Sequence, residues 1–162
     1  MYFSKRNFGG GSVMVWGAFS SWSTLDLEFT SHHIDSSEYQ GILSSRLIPF
    51  LQKYRRRGLV FQQDNASVHK SKTTLGWFQR HKVTVMEWPA CSPDLNPMEN
   101  LWGILVRRVY ANHRQYQAQD DLKSAILEAW RELSVDLLQT LINSMPDRIY
   151  KVINRNGNYS DY

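Results

Sequence analysis

Cysteine is nearly absent from this chain. Cys91 stands alone among 162 residues, which excludes an internal disulfide and fits a reducing compartment. Long apolar runs are missing too. None approaches the roughly 20 residues that a membrane-spanning helix needs, and the opening "MYFSKRNFGGG" lacks the apolar core of a secretory signal. The expected class is a soluble intracellular protein with no membrane partner. No internal repeat or low-complexity tract is visible. Charged residues are modest at 21% and hydrophobic ones reach 42%, a balance that excludes a disordered chain. Acids are outnumbered, 15 against 19 Lys and Arg, giving a formal net charge of +4 and a pI near 9.3. Such a balance permits a polyanionic partner without demanding one. The length suits a single domain, residues 1–162.

What is present reads as alternating strands and helices. "GGGSVMVWGAFS" enters a buried strand from a glycine turn. "TLDLEFT", residues 24–30, alternates apolar with acidic positions and predicts a half-buried strand paired with the first. "DSSEYQGILSSRLIPFLQKYRRR" predicts a helix capped by Asp35 or Ser36 and bent at Pro49. "LVFQQD" predicts a short central strand, residues 70–81 a helix with Leu75 and Phe78 inward, and "VTVMEW" another strand. Pro89, Ser92, Pro93 and Pro97 make a stiff loop. A long helix is expected from Pro97 to His113, with Leu101, Trp102, Leu105, Val106, Val109 and Tyr110 as its apolar stripe. Residues 118–154 are helical, and 158–162 form a frayed tail. The order indicates an α/β or α+β fold.

Two acids stand out. Asp64 closes the strand-like "LVFQQD". Asp-Asn there is ordinary turn chemistry, yet the carboxyl end of a central strand is also where α/β sheets place their sites. Glu99 lies in Asn96-Pro97-Met98-Glu99, which fits a helix start with Asn as N-cap and Glu at the third helical position. Capping alone would explain it. Residues 65–98, 34 in all, separate the two acids. Both sit beside proline-stiffened loops. Carboxylates held so can ligate Mg²⁺, and two such ions about 4 Å apart can activate a water or 3′-hydroxyl against a phosphodiester. The carboxylates are then expected within about 8 Å of one another, a span that metal ligation can bridge.

"FQQDNASVHKS", the 34-residue interval and "WPACSPDLNPMENLW" resemble the catalytic domain of mariner-superfamily (Tc-like) DDE transposases, near the worm and fish members. "GGGSVMVWGAFS" and "RRV" at 107–109 also fit, and the likeness spans residues 9–157. Ser67 departs from the proline of many relatives. The resemblance implies a ribonuclease-H-like mixed sheet flanked by helices, with a helical C-terminal part. It implies an Asp-Asp-Glu triad in which Asp64 matches the second acid and Glu99 the third, both catalytic and both ligands of Mg²⁺ or Mn²⁺. The activity implied is endonuclease cleavage and strand transfer in cut-and-paste DNA transposition, with duplex DNA as partner, a homodimer left open, and the nucleus as the place of action.

In the family the first Asp lies on a first sheet strand well upstream of the glycine-rich segment. The residues before Gly9 hold no acid, so the chain is expected to be N-terminally truncated, to lack that strand, to bind metal weakly and to be inactive alone. Open edges are expected beside "VMVWGAF" and "LVFQQ". "MYFSKRNF" is a candidate to fill one of them. Asp26 and Glu28 read as the wet face of an edge strand rather than surrogate ligands. The alternative function is a non-catalytic, transposon-derived module for DNA binding or protein interaction. His69 matches a family position near the site and otherwise reads as a packing histidine. Lys70, Lys72, Arg107 and Arg108 are candidates to flank a DNA path, or else solvated faces. Lys53, Arg55, Arg56 and Arg57 form a basic cluster that complements a helix end, with phosphate contact as the lesser reading. The tryptophans read as core.

Overall fold

The computed structural model describes residues 2–4, 12–31, 33–89, 92 and 95–154. The chain divides into two compact units, one from Met1–Thr30 with Pro93–Tyr162, the other Ser31–Ser92.

The first unit is built on a three-stranded antiparallel sheet of order β1-β2-β5: β1 (Tyr2–Ser4), β2 (Ser12–Trp16) and β5 (Glu28–Thr30). The β2 strand alternates, with Val13 and Val15 buried. Its register sets Met14 opposite Tyr2 on one side and Thr30 on the other. The expected open edge beside "VMVWGAF" is therefore not there, because Tyr2–Ser4 pairs with it along three residues. The pairing predicted for "TLDLEFT" is found, but the ladder shrinks to Glu28–Thr30. Leu25 and Leu27 are buried outside it. A two-residue hairpin, β3 (Phe19–Ser20) and β4 (Ser23–Thr24), intervenes. The glycine turn before β2 lies outside the described residues.

Helices α4 (Pro97–Val109), α5 (Gln119–Arg131), α6 (Val135–Asn143) and α7 (Met145–Asn154) complete this unit. One core joins Val13, Val15 and Leu27 to Leu101, Trp102, Leu105, Leu122, Ile126, Trp130 and Leu138. Trp102 and Trp130 stack with ring centroids 5.7 Å apart. The indole N–H of Trp130 donates to the Leu25 carbonyl at 2.8 Å. Gly17 is required by close approach. A Cβ there would lie 2.7 Å from Leu27 Cδ2 and 3.1 Å from the Trp102 ring. The expected helix through His113 stops at Val109, where the backbone turns through Asn112 at a φ of 56° and His113 at 57°. The region 118–154, expected to be helical, resolves into three helices. Residues 158–162 fall outside the described residues.

The second unit begins with α1 (Ser36–Ile42), whose N-cap Asp35 accepts the amides of Ser37 and Glu38, both at 2.8 Å. The chain continues through a π-helical turn, Leu43–Leu47, into α2 (Ile48–Lys53). Pro49 has no N–H to give, and the looser turn just before it absorbs the mismatch: Ile48 N–H reaches back to the Leu43 carbonyl. The helix α3 (Lys72–Arg80) buries Thr74, Trp77 and Phe78. Leu75, expected inward, is 46% exposed. Thr74 takes the inward place because its hydroxyl has a partner there, the Val68 carbonyl at 2.8 Å. The two predicted strands "LVFQQD" and "VTVMEW" are reduced to a single parallel bridge between Phe61 and Val85. Phe61 N–H donates to Thr84 and Met86 N–H donates to Phe61, both at 2.8 Å. Parallel ladders persist where both faces are covered, and Val60 and Met86 are exposed. Trp77, Trp102 and Trp130 are core residues as expected, whereas Trp16 and Trp88 are only half-buried.

Candidate active site

Asp64 follows the bridged segment that contains Phe61, and a chain of side-chain bonds fixes the turn around it. Its Oδ1 accepts the Ala66 amide at 3.0 Å, an Asx turn. The same oxygen accepts a hydrogen bond from His69 Nδ1 at 2.6 Å. A carboxylate only accepts, so Nδ1 carries the proton and Nε2 is the imidazole's other functional edge. The His69 ring lies on the ring of fully buried Tyr39, centroids 4.3 Å apart. The Tyr39 hydroxyl donates to Gln63 Oε1 at 2.6 Å, and Gln63 Nε2 donates to the His69 carbonyl at 3.4 Å. On the other side, Asn65 Nδ2 donates to the carbonyls of Trp88 and Pro89 at 3.0 and 3.2 Å. Gln63, Asp64 and Asn65 are thus each tied down by their own side chains.

This environment holds the Asp64 carboxyl below the usual aspartate range. The hydrogen bond from His69 is the main cause, helped by the Ala66 amide and by the charge of His69, and opposed by partial burial. Asp64 is an ionised carboxylate, its side chain 54% exposed, with Oδ1 taken up by donors. Its Oδ2 faces no donor among the described residues. That oxygen suits a hard, water-carrying cation.

Glu99 belongs to the other unit, at the third position of α4. The expected N-cap is present: Asn96 Oδ1 accepts the Met98 amide at 3.1 Å, and Pro97 opens the helix. The carboxylate of Glu99 is exposed and makes no hydrogen bond or ion pair with any described residue. The cap thus works through Asn96 without it, and Glu99 keeps both oxygens for a ligand. Among the described residues no three His, Cys, Asp or Glu side chains cluster. Each acid is therefore a partial ligand set, compatible with a magnesium ion that keeps most of its waters.

The remaining candidates are scattered around these two. Lys70 and Lys72 are both exposed, Lys70 between the Asp64 turn and α3 and Lys72 at the first position of α3. Arg107 and Arg108 are exposed in the last turn of α4, where they also complement the helix dipole. Arg107 shares an i, i+4 row with Gly103 and Glu99, and its guanidinium lies 3.7 Å from where a Gly103 Cβ would sit. Arg108 is nine residues beyond Glu99, two and a half turns at about 3.6 residues per turn, which puts it on the far side of the helix. Tyr39, Gln63 and Asn65 carried no signal that marked them for the site. Gln63 and Asn65 flank Asp64, but Tyr39 reads as one more apolar position on its helix.

The fold is ribonuclease-H-like, by its match to solved transposase catalytic domains. The structure matches the Mos1 transposase catalytic domain solved with raltegravir and magnesium, with a TM-score of 0.82 at 20% identity over 93% of this chain and 78% of that one. It also matches the Mos1 paired-end complex with the left transposon end, TM-score 0.84 at 21% identity over 98% of this chain and 48% of that one. The family model for the DDE superfamily endonucleases matches residues 6–123. The Tc3 transposase of Caenorhabditis elegans is 47% identical over 162 residues, all of this chain and 49% of the relative. The Tc1 transposase of the same worm is 42% identical over 155 residues, 95% of this chain and 56% of the relative. The chain belongs to the DDE superfamily endonucleases, as a catalytic domain of the mariner and Tc1 transposase type. It spans about half the length of these two relatives. No helix among the described residues is long and apolar enough to cross a membrane.

Proposed function

We propose that Asp64 and Glu99 are two of the three acids of a metal-dependent DNA cleavage and strand-transfer site, and that Mg²⁺ or Mn²⁺ is the ion they hold. Asp64 would give Oδ2 and Glu99 its carboxylate, and the ion would supply charge neutralisation and a polarised water or 3′-hydroxyl. The observation that carries this reading is the state of Asp64. Its Oδ1 accepts from His69 Nδ1 at 2.6 Å, which lowers its pKa, while its side chain is 54% exposed, on the "QDN" stretch that matches the family's second acid. Duplex DNA is the substrate, Lys70, Lys72 and Arg107 flank its path, and the chain works in the nucleus as part of a homodimer.

By themselves these 162 residues do not cleave. Two carboxylates do not fix an ion pair at the spacing an in-line displacement needs, and even small misplacements cost on the order of 100-fold in rate. The test is nicking of a transposon-end duplex in Mg²⁺ or Mn²⁺, by this chain and by the chain joined to a family first strand with its Asp. Cleavage only by the extended protein, abolished by Asp64→Asn, supports the reading. DNA binding without cleavage in either form favours a non-catalytic module. An experimental structure with Mn²⁺ gives a second check. The Asp64 and Glu99 carboxylates should fall within about 8 Å of each other, on one ion or an ion pair. Placement on opposite faces of the sheet returns Glu99 to a role at the helix start.

A further inference from the structure

From Tyr39 to Gln63 the chain carries no Asp or Glu, while Arg46, Lys53, Arg55, Arg56 and Arg57 all fall within it. The last four are set around Tyr54 where α2 ends. Arg55, Arg56 and Arg57 form a 3-10 turn closed by Gly58, whose φ of 59° lets the chain swing back towards Phe61. All three arginines are exposed, as is Lys53. The Tyr54 ring packs on Phe50 with centroids 4.8 Å apart. Lys53 Nζ stands 5.3 Å from the Tyr54 centroid and the Arg57 guanidinium 5.9 Å. Residues 52–57 line an open depression of about 390 Å³.

Complementing a helix end does not account for this. The C-terminal end of a helix carries about half a negative charge, and its influence fades within the last turn. Four cations overshoot that charge several-fold, and three of them lie beyond the helix. Crowding like charges is unfavourable in the free protein. A polyanion relieves the crowding and gains from the counterions it releases. Guanidinium groups fanned from one turn suit phosphate oxygens, to which they donate in pairs. Gly58 and Asp64 are six residues apart, so the chain between them spans at most about 20 Å. That is some six base pairs of duplex at about 3.4 Å each.

We propose that the turn Lys53–Arg57 is a phosphate-backbone contact for duplex DNA, its Gly58 end lying within about six base pairs of the phosphodiester that Asp64 addresses. It fixes how far the duplex runs past the site, without reading sequence. This rests on the reading of Asp64 as part of a DNA-cleaving site, but its test is separate. Binding of the 162-residue chain to a random-sequence duplex is measured over a series of salt concentrations. The variants are Arg55→Ala/Arg56→Ala, Arg55→Lys/Arg56→Lys and a control of equal charge loss elsewhere, Lys123→Ala/Lys151→Ala. The slope of log K against log salt should fall by about 1.8 in the alanine patch variant, stay near wild type in the lysine variant and change little in the control. Thermal melts of each variant confirm that the fold is kept. An unchanged slope in the alanine variant overturns the proposal and leaves DNA binding standing, as does an equal fall in the control. A wild-type chain with no affinity for duplex sinks the DNA reading and this proposal together.

Discussion

His69 Nδ1 donates to Asp64 Oδ1 at 2.6 Å while the ring rests on Tyr39, so the histidine's orientation and the carboxylate's are one arrangement. His69 and the Ala66 amide both bind Oδ1, and Oδ2 has no donor among the described residues. Partners behind a metal ligand typically change metal affinity 10- to 100-fold. His69→Ala should therefore weaken Mn²⁺ binding to the chain by about 10-fold, read from the free-ion electron paramagnetic resonance signal. His69→Asn retains a donor and should recover part of the loss. Equal affinity in all three proteins would make His69 a packing residue.

Acid should act on the same pair. The Asp64 carboxyl is lowered in the folded chain by the His69 hydrogen bond. Its stabilising contribution is therefore complete above the unfolded-state value of about 3.9 and is lost as pH falls through the lower folded value. Asp64→Asn should be less stable than wild type near neutrality, and the gap should close below about pH 4. The carboxyl is half exposed, so solvent screening keeps the gap small. Urea unfolding in chelator at several pH values measures it. A gap that is constant with pH would show that the bond does not carry it.

The two explanations of Glu99 separate in stability. Asn96→Ala removes the side chain that caps α4 and should cost about 1 kcal/mol. Glu99→Gln should cost no more than a few tenths, the share of a charge near the helix dipole, because its carboxylate has no described partner. Denaturant midpoints of the two variants decide this. A Glu99→Gln loss as large as that of Asn96→Ala would assign Glu99 to the cap.

Gly17 is a packing requirement. Its φ is not in the left-handed region, so the cost of a side chain is purely steric. Gly17→Ala pushes a methyl against Leu27 and the Trp102 and Trp130 rings and should lower stability by about 1–3 kcal/mol. Thermal or urea unfolding measures it. A neutral result would mean that Leu27 gives way freely.

Much of the helical framework was readable because its signals are local. Asp35 and Asn96 announce two helix starts, and the stripe from Leu101 to Val109 announces the face that α4 buries. Motif and position singled out Asp64 and Glu99 as the candidate acids. What was hidden depends on partners distant in sequence. Thr74 displaces Leu75 from the inward face only because the Val68 carbonyl waits there. "LVFQQD" has a strand's composition, yet one bridge to Val85 is all the ladder it makes. The support of Asp64 by Tyr39 through His69 and Gln63 spans contacts that no periodicity encodes.

The bond from Trp130 to the Leu25 carbonyl joins residues 105 positions apart, and its consequence lies in how the protein is made. The segment that carries Val13, Val15 and Leu27 leaves the ribosome well before Leu122, Ile126 and Trp130, which bury those side chains. At about 5–20 residues per second, that segment waits on the order of 5–20 s for those partners while the whole Ser31–Ser92 unit is translated in between. During that interval the nascent chain displays an uncovered apolar ribbon. Its yield in a cell is then governed by translation speed and by chaperones that shield such ribbons, and a pause placed after Ser92 would prolong the exposure.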